Sequence, residues 1–294
     1  MMSYPELTTQ QQQGLPVLLA PATLVPSEFS DSTHQVWLCQ TSDGLMVLKI
    51  CQLQTIELSS FWSAVNQLFG LQFPRSLDKI HVAYDLVAQS THVMIPNLIV
   101  AESSGFVMTR YVEGDDVSYH MVSKDMATQL AGHLAQLHQR TFSQWGPIFN
   151  PEFSSQAWSA RLQQTLISLA ATSSIMIADN ILNKALQQAA DIKLTSFSPI
   201  MVDLRWDQML HQQGRLAAIV DMDAFVIGPT ALELILLEYQ LSQDQADYFA
   251  EHYQLFLPLP ELDSQRYCYR LLLFLMNSLG ETDLEKWMNS PARF

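Results

Sequence analysis

Residues 200–211 read IMVDLRWDQMLH, and residues 214–229 read GRLAAIVDMDAFVIGP. Each stretch sets an aspartate directly after a run of β-forming apolar residues: Asp203 follows Ile200, Met201 and Val202, and Asp221 follows Ile219 and Val220. Asp207 and Asp223 come a few residues later. Only 15% of the chain is charged, so four aspartates against two strand-like runs need a reason. One is chemistry, since carboxylates at strand ends are hard oxygen donors able to hold a divalent cation. The other is a pair of surface hairpins whose acids are simply solvated. The rest of the chain decides between them.

At 294 residues the chain can bury a sizeable core, as one large domain or two lobes. Apolar residues make up 48%, the balance of a globular protein rather than a disordered one. No apolar run approaches the ~20 residues that span a bilayer. The start, MMSYPELTTQQQQGLPVLLAPA, lacks the basic-then-apolar pattern of a secretory leader. Cys39, Cys51 and Cys268 have no CxxC spacing and read as reduced thiols. A cytoplasmic protein without a membrane partner is expected. A formal net charge of −14 argues against nucleic acid, which requires clustered Lys and Arg. The same charge favours a cationic partner only where the acids line a pocket.

From residue 34 the pattern is β-like: HQVWLCQ, TSDG and LMVLKIC read as a strand, a turn at Asp43-Gly44 and a second strand. Residues 57–71, ELSSFWSAVNQLFGL, carry Leu58, Phe61, Trp62, Val65 and Leu68 at helical spacing, with Gly70 as the stop. HVAYDLVA (81–88) and THVMIPNLIVAE (91–102) are expected as further strands, and GFVMTRYVEG (105–114) closes the β-rich part. Amphipathic helices follow. KDMATQLAGHLAQLHQRTF (124–142) places Met126, Leu130, Leu134 and Leu137 on one face, and 154–171 and 177–194 continue the series. A β pair at 199–227 interrupts it before helices return at 230–242, 245–256 and 265–280. This order predicts an α+β, two-lobed chain, with a small β-rich N-terminal lobe over 1–112 and a larger helical lobe over 113–294.

Taken with the aspartate pair, this order of parts resembles the aminoglycoside phosphotransferase and choline kinase branch of the protein-kinase-like fold, over about residues 30–280. Lys49 in DGLMVLKI stands between apolar neighbours inside a strand, where an ammonium expects an anion. The resemblance implies that it holds the phosphates of ATP. GFVMTRYVEGDDV resembles the crossing between lobes, which implies that the backbone at Thr109, Arg110 and Tyr111 faces adenine with Met108 behind it. LAGHLAQLHQRTF resembles a packing helix in which His138 is structural. In the family's loop H-G-D-x-x-x-x-N the Asp handles the substrate hydroxyl and the Asn holds Mg²⁺. Asp203 and Gln208 fall at those two positions, and Asp221 falls at that of the second metal aspartate. Asp223 is expected beside Asp221 on the metal. The resemblance thus implies ATP and Mg²⁺ as cofactors, with the nucleotide on the N-terminal lobe, and transfer to a hydroxyl of a small-molecule partner, with a cationic metabolite or an aminoglycoside-like compound as the candidate acceptors.

The chain also departs from the family pattern. Met201 and Val202 replace the usual His-Gly, and Gln208 replaces Asn. Aligning Phe61 with the family's F-x-x-E puts Ala64 where a Glu would pair the lysine, and Glu57 is about two turns away. The phosphate-covering loop, SEFSDSTHQV, contains no glycine, so hydroxyls such as that of Ser32 are expected to contact phosphate. Arg205 reads either as a phosphate contact or as a salt-bridge partner of a nearby acid. Three functions follow: a small-molecule kinase, a pseudokinase that binds nucleotide or a partner without transfer, and a metal-dependent hydrolase. The last explains the carboxylates but not Lys49. A cleft in which Asp203, Gln208 and Asp221 converge on Lys49 favours the first. A cleft filled by Met201 or Trp206 favours the second.

Overall fold

The computed structural model describes residues 2–27, 31–90 and 93–294. Its first sheet is antiparallel and has five strands: β1 (Thr23–Val25), β2 (His34–Thr41), β3 (Gly44–Cys51), β4 (Leu98–Glu102) and β5 (Phe106–Arg110), in the spatial order β1-β2-β3-β5-β4. The β2–β3 hairpin pairs His34 with Cys51 and Thr41 with Gly44, so its tight turn is Ser42-Asp43, one residue earlier than expected. Strand alternation then sorts β3. Met46, Leu48 and Ile50 face a small outer core shared with Tyr4, Leu7 and Leu18 of the N-terminal segment. Lys49 takes the opposite face, in register with Val36 on β2 and Val107 on β5.

Among the described residues three α-helices lie between β3 and β4: α1 (Leu53–Leu58), α2 (Ser60–Phe69) and α3 (His81–Ser90). The helix expected over 57–71 is broken at Ser59, whose side chain caps α2 by accepting from the Trp62 N–H. Gly70 ends α2 in the left-handed region, with φ 71°, as its position predicts. HVAYDLVA is a helix and not a strand. Val82 and Val87 lend it β propensity, but Ala83, Tyr84 and Val87 form one buried helical face, and packing decides. In THVMIPNLIVAE, Thr91 and His92 lie outside the described residues; Met94 makes an isolated bridge to Ala218, and only Leu98–Glu102 is strand.

The remainder comprises β6 (Asp115–Asp116), α4 (Lys124–His138), β7 (Gln144–Pro147), β8 (Phe153–Ser154), α5 (Ala157–Thr172), α6 (Asp179–Asp191), β9 (Ser198–Met201), β10 (Met209–Gln212), β11 (Arg215–Ile219), β12 (Phe225–Gly228), α7 (Thr230–Glu238), α8 (Gln243–Tyr253), α9 (Asp263–Leu275) and α10 (Leu284–Met288). The β pair expected at 199–227 is four short strands in two sheets, ordered β11-β10-β6 and β8-β7-β12-β9. Where the chain crosses from β5 into β6 it passes close to β10: a Cβ on Gly114 would lie 2.8 Å from that of Leu210. The main core runs without a break from α2 and α3 through the helical body to Trp287 on α10. At its centre α7 is buried from Ala231 to Glu238, which explains its almost wholly apolar sequence. Among the described residues, no helix is long and apolar enough to cross a membrane.

Candidate active site

Strand pairing brings the two quoted stretches together. Met201 at the end of β9 pairs with Phe225 on β12, and the Val202 N–H donates to the Ala224 carbonyl at 3.1 Å. Asp203, just past β9, therefore lies beside the Asp221–Asp223 turn that precedes β12. The following residues, Trp206–Gln208, form a 3-10 turn held from below. The Trp206 indole donates to the Gln240 carbonyl at 3.0 Å, and the Gln240 amide donates to the Leu204 carbonyl at 2.6 Å. Trp206 and Met201 are buried in the floor, so neither plugs the space above.

That space is a cleft of about 1020 Å³, lined by Lys49, Asp203, Gln208, Asp221, Asp223 and Ser32 among others. The Lys49 ammonium sits 3.0 Å from Asp221 Oδ2. Asp221 Oδ1 accepts from the Asp223 N–H at 3.3 Å, and Asp223 Oδ2 lies 3.2 Å from His34 Nε2. The Gln208 amide donates to Asp203 Oδ2 at 2.7 Å, and Arg205 Nε lies 3.4 Å from both Asp203 Oδ1 and Asp207 Oδ1. The electrostatics follow from this geometry. Burial works against ionising Asp221, but the adjacent Lys49 and His34 outweigh it and hold its carboxyl below the ordinary range. Asp223 moves the other way, because burial and the Asp221 charge both oppose a second anion. Burial also pushes Asp203 up to about 7, against the pull of Arg205. His34 is driven down to about 4, first by burial and then by Lys49.

No family model and no curated protein sequence matches this chain. Solved structures do. The chain is similar to a macrolide 2'-phosphotransferase from Brachybacterium faecium, at 16% identity over 92% of this chain and 94% of that one, with a TM-score of 0.56. It is similar to the ADP-bound aminoglycoside phosphotransferase APH(2'')-Ib at 15% identity, over 96% and 95% of the two chains, with a TM-score of 0.58. A choline kinase from Streptococcus pneumoniae is 14% identical, with 95% and 92% covered and a TM-score of 0.59. The fold is protein-kinase-like.

In this protein-kinase-like fold the sheet forms one wall of the cleft and the turns after β9 and β11 form its floor. Lys49, Asp203, Gln208, Asp221 and Asp223 come together there, and Ser32 lies at the edge, its hydroxyl donating to the His34 carbonyl at 2.9 Å. Of the loop SEFSDSTHQV, residues 28–30 lie outside the described residues. The expected adenine contacts are not assembled as the sequence suggested. Met108 pairs with Leu48 and points into the outer core, away from the face that carries Lys49. The Arg110 N–H donates to the Asn97 carbonyl and the Tyr111 N–H to the Leu45 carbonyl, so neighbouring backbone already uses both donors. The Arg110 side chain instead donates to the Asp43 carbonyl on the surface. Strand β5 runs further than a crossing segment at 109–111 allows, and Val117, Ser118 and Tyr119 line the cleft instead.

The donor set fits a hard divalent cation that arrives with a polyphosphate. Gln208 Oε1 is buried with no hydrogen-bond partner, an amide oxygen left for a ligand outside the protein. Asp203 and Asp221 supply carboxylate oxygens nearby. Among the described residues no three histidine, cysteine or carboxylate side chains form a closed metal cage. Mg²⁺ is usually held by one or two carboxylates plus substrate phosphates rather than by such a cage.

Two supporting residues lie outside those named from the sequence, and only the first carries a sequence signal. Glu233 stands within the apolar run TALELILLE, as Lys49 stands within an apolar strand, and a charge buried there requires partners. The Met201 N–H donates to its Oε1 at 2.6 Å, and its Oε2 lies 2.7 Å from His138 Nε2, whose other nitrogen is 2.8 Å from the Tyr253 hydroxyl. Glu233 thus ties the Met201 N–H at the end of β9 to His138 on α4, beneath the turn that carries Asp203. His34 is the other: its place opposite Cys51 at the end of the hairpin brings it against Asp223.

Proposed function

We propose that the protein is an ATP-dependent phosphotransferase that moves the γ-phosphoryl group to a hydroxyl of a small molecule. The single observation that carries this reading is the convergence of Lys49, Asp203, Gln208 and Asp221 on one open cleft, with Gln208 Oε1 lacking any protein partner. Residues 1–112 then act as the nucleotide-binding lobe and 113–294 as the catalytic lobe. Lys49, released from Asp221 by the incoming anion, binds phosphate, and Ser32 contacts it from the covering loop. Asp221 and Gln208 hold Mg²⁺, with Asp223 in support through His34. Bound Mg²⁺ would neutralise charge on the transferring group.

Asp203 orients the acceptor hydroxyl and takes its proton, and a carboxyl raised to about 7 suits a base working near neutrality. The acceptor oxygen bonds to the γ-phosphorus as the bond from that phosphorus to the β,γ-bridging oxygen breaks. ADP leaves with the electron pair. The reduced thiols at Cys39, Cys51 and Cys268 fit a cytoplasmic setting. A pseudokinase would be favoured by a cleft blocked at Met201 or Trp206, and both side chains lie in the floor.

The test is calorimetric titration of ATP with and without Mg²⁺. Mg²⁺ strengthens binding in the wild type, and Asp221→Asn loses most of that gain. Equal ATP affinity with and without Mg²⁺ in the wild type contradicts the metal assignment. Absence of ATP binding contradicts the whole reading.

A further inference from the structure

We propose that the acceptor is a neutral, polyhydroxylated molecule that binds in the arm of the cleft between the α1–α2 corner and the turn at 276–280. This inference rests on the phosphotransferase reading for its chemistry but not for its binding site. The carboxylates that line the cleft all belong to the catalytic side. Asp203 and Asp207 flank Arg205, Asp221 and Asp223 face Lys49 and His34, and Asp31 adjoins Ser32.

The other arm has a different chemistry. Thr55, Ser60, Phe61, Asn277, Ser278 and Leu279 line it, and among the described residues no charged side chain does. Its two sides are tied together by the Ser60 hydroxyl, which donates to the Met276 carbonyl at 3.1 Å. A cationic acceptor held here would leave water without a carboxylate to balance it, which is costly. Hydroxyls and an amide instead exchange hydrogen bonds with a neutral polyol in either direction.

Two details fit that occupant. Ser278 is 4% exposed and lines the cleft, yet its Oγ has no hydrogen-bond partner. A buried hydroxyl left unpaired is disfavoured, and an acceptor hydroxyl would satisfy it. The ring of Phe61 is braced edge-on against Trp62 at 5.1 Å, and Trp62 stacks on Phe73 at 3.7 Å. That gives a fixed apolar surface for the C–H face of a ring or chain, beside polar groups that set orientation. Asn277, with φ 58°, occupies the left-handed position at the end of α9, which Asn tolerates better than most residues. During transfer one acceptor hydroxyl reaches Asp203, its oxygen bonds to the γ-phosphorus, its proton passes to Asp203, and ADP departs.

The experiment has two arms. Calorimetry without nucleotide measures binding of D-ribose, D-glucose, D-mannitol and myo-inositol against choline, ethanolamine and spermidine. ATP-dependent transfer to the same compounds is then followed in the wild type, Ser278→Ala and Asn277→Gly. At least one neutral polyol is expected to bind and accept phosphate. Ser278→Ala should weaken that polyol by about 2–10-fold, the worth of one neutral hydrogen bond. The loss should appear in KM rather than kcat, with ATP affinity and unfolding temperature as in the wild type. Binding or phosphorylation of the amines alone overturns the proposal, as does a polyol that binds equally to the wild type and both variants. Failure to bind ATP contradicts the phosphotransferase reading instead, while the nucleotide-free titrations still decide the acceptor class.

Discussion

Beneath the turn that carries Asp203, Glu233 uses both carboxylate oxygens on the protein, one on the Met201 N–H and one on His138. Above the same turn, Asp203 and Asp223 face a cleft, burial raises both carboxyls, and the neighbouring Gln208 Oε1 has no partner. Glu238 at the far end of α7 resembles Glu233: Arg266 and Arg270 lie 3.1 and 2.9 Å from it, and the backbone N–H of Arg293 donates to it at 3.2 Å. A carboxylate whose lone pairs are all answered by the protein holds the fold together. One whose surroundings resist its charge, and whose neighbours lack partners, awaits something that the chain does not itself supply.

The largest test of this contrast is Asp203→Asn. Turnover should fall on the order of 10²–10⁴-fold, as for loss of a positioned acid–base group, while the unfolding temperature stays near the wild type. Steady-state kinetics beside thermal melting checks both halves. The reverse pattern is expected of Glu233→Ala. Removing one member of a buried pair strands the other, at a cost of about 3–5 kcal/mol, and Met201 loses its anchor. Denaturant unfolding reads that loss; a variant as stable as the wild type would break the comparison.

The smallest effect concerns His133 on α4, which burial first, and the nearby His138 second, drives down to about 3. Its ordinary value is 6.5, so between these values the unfolded chain binds a proton that the folded chain refuses. Stability is therefore complete above about 6.5 and declines as pH falls towards 3. His133→Asn should flatten that decline when unfolding temperature is followed from neutral to acid pH. An unchanged acid slope would show that this histidine is not its source.

Much of the site was legible because its signals are local. Asp203 after Val202, Asp221 after Val220 and Lys49 between Leu48 and Ile50 each place a charge at or in an apolar strand, and strand pairing brings them into one cleft. Register was not legible. A single residue decides whether a side chain faces the cleft, so Met108 falls on the far face and Val107 on the near one. Nor could the sequence show that the Asn97 and Leu45 carbonyls already occupy the donors of Arg110 and Tyr111. The valines of α3 carried the propensity of a strand into a helix whose identity packing alone decides. His34 gave no signal because its role depends on meeting Asp223, distant in sequence and reached only in the fold.

A single-turnover reaction with γ-labelled ATP, Mg²⁺ and excess acceptor measures phosphoryl transfer most directly. Wild-type protein should pass the label from ATP to a hydroxyl of one acceptor and form ADP in equal amount, and Asp203→Asn should bind the same ATP yet transfer it far more slowly. Wild-type protein that binds ATP tightly but leaves the label on it, across neutral polyols and amines alike, would contradict an open catalytic centre and leave a nucleotide-binding protein without transfer.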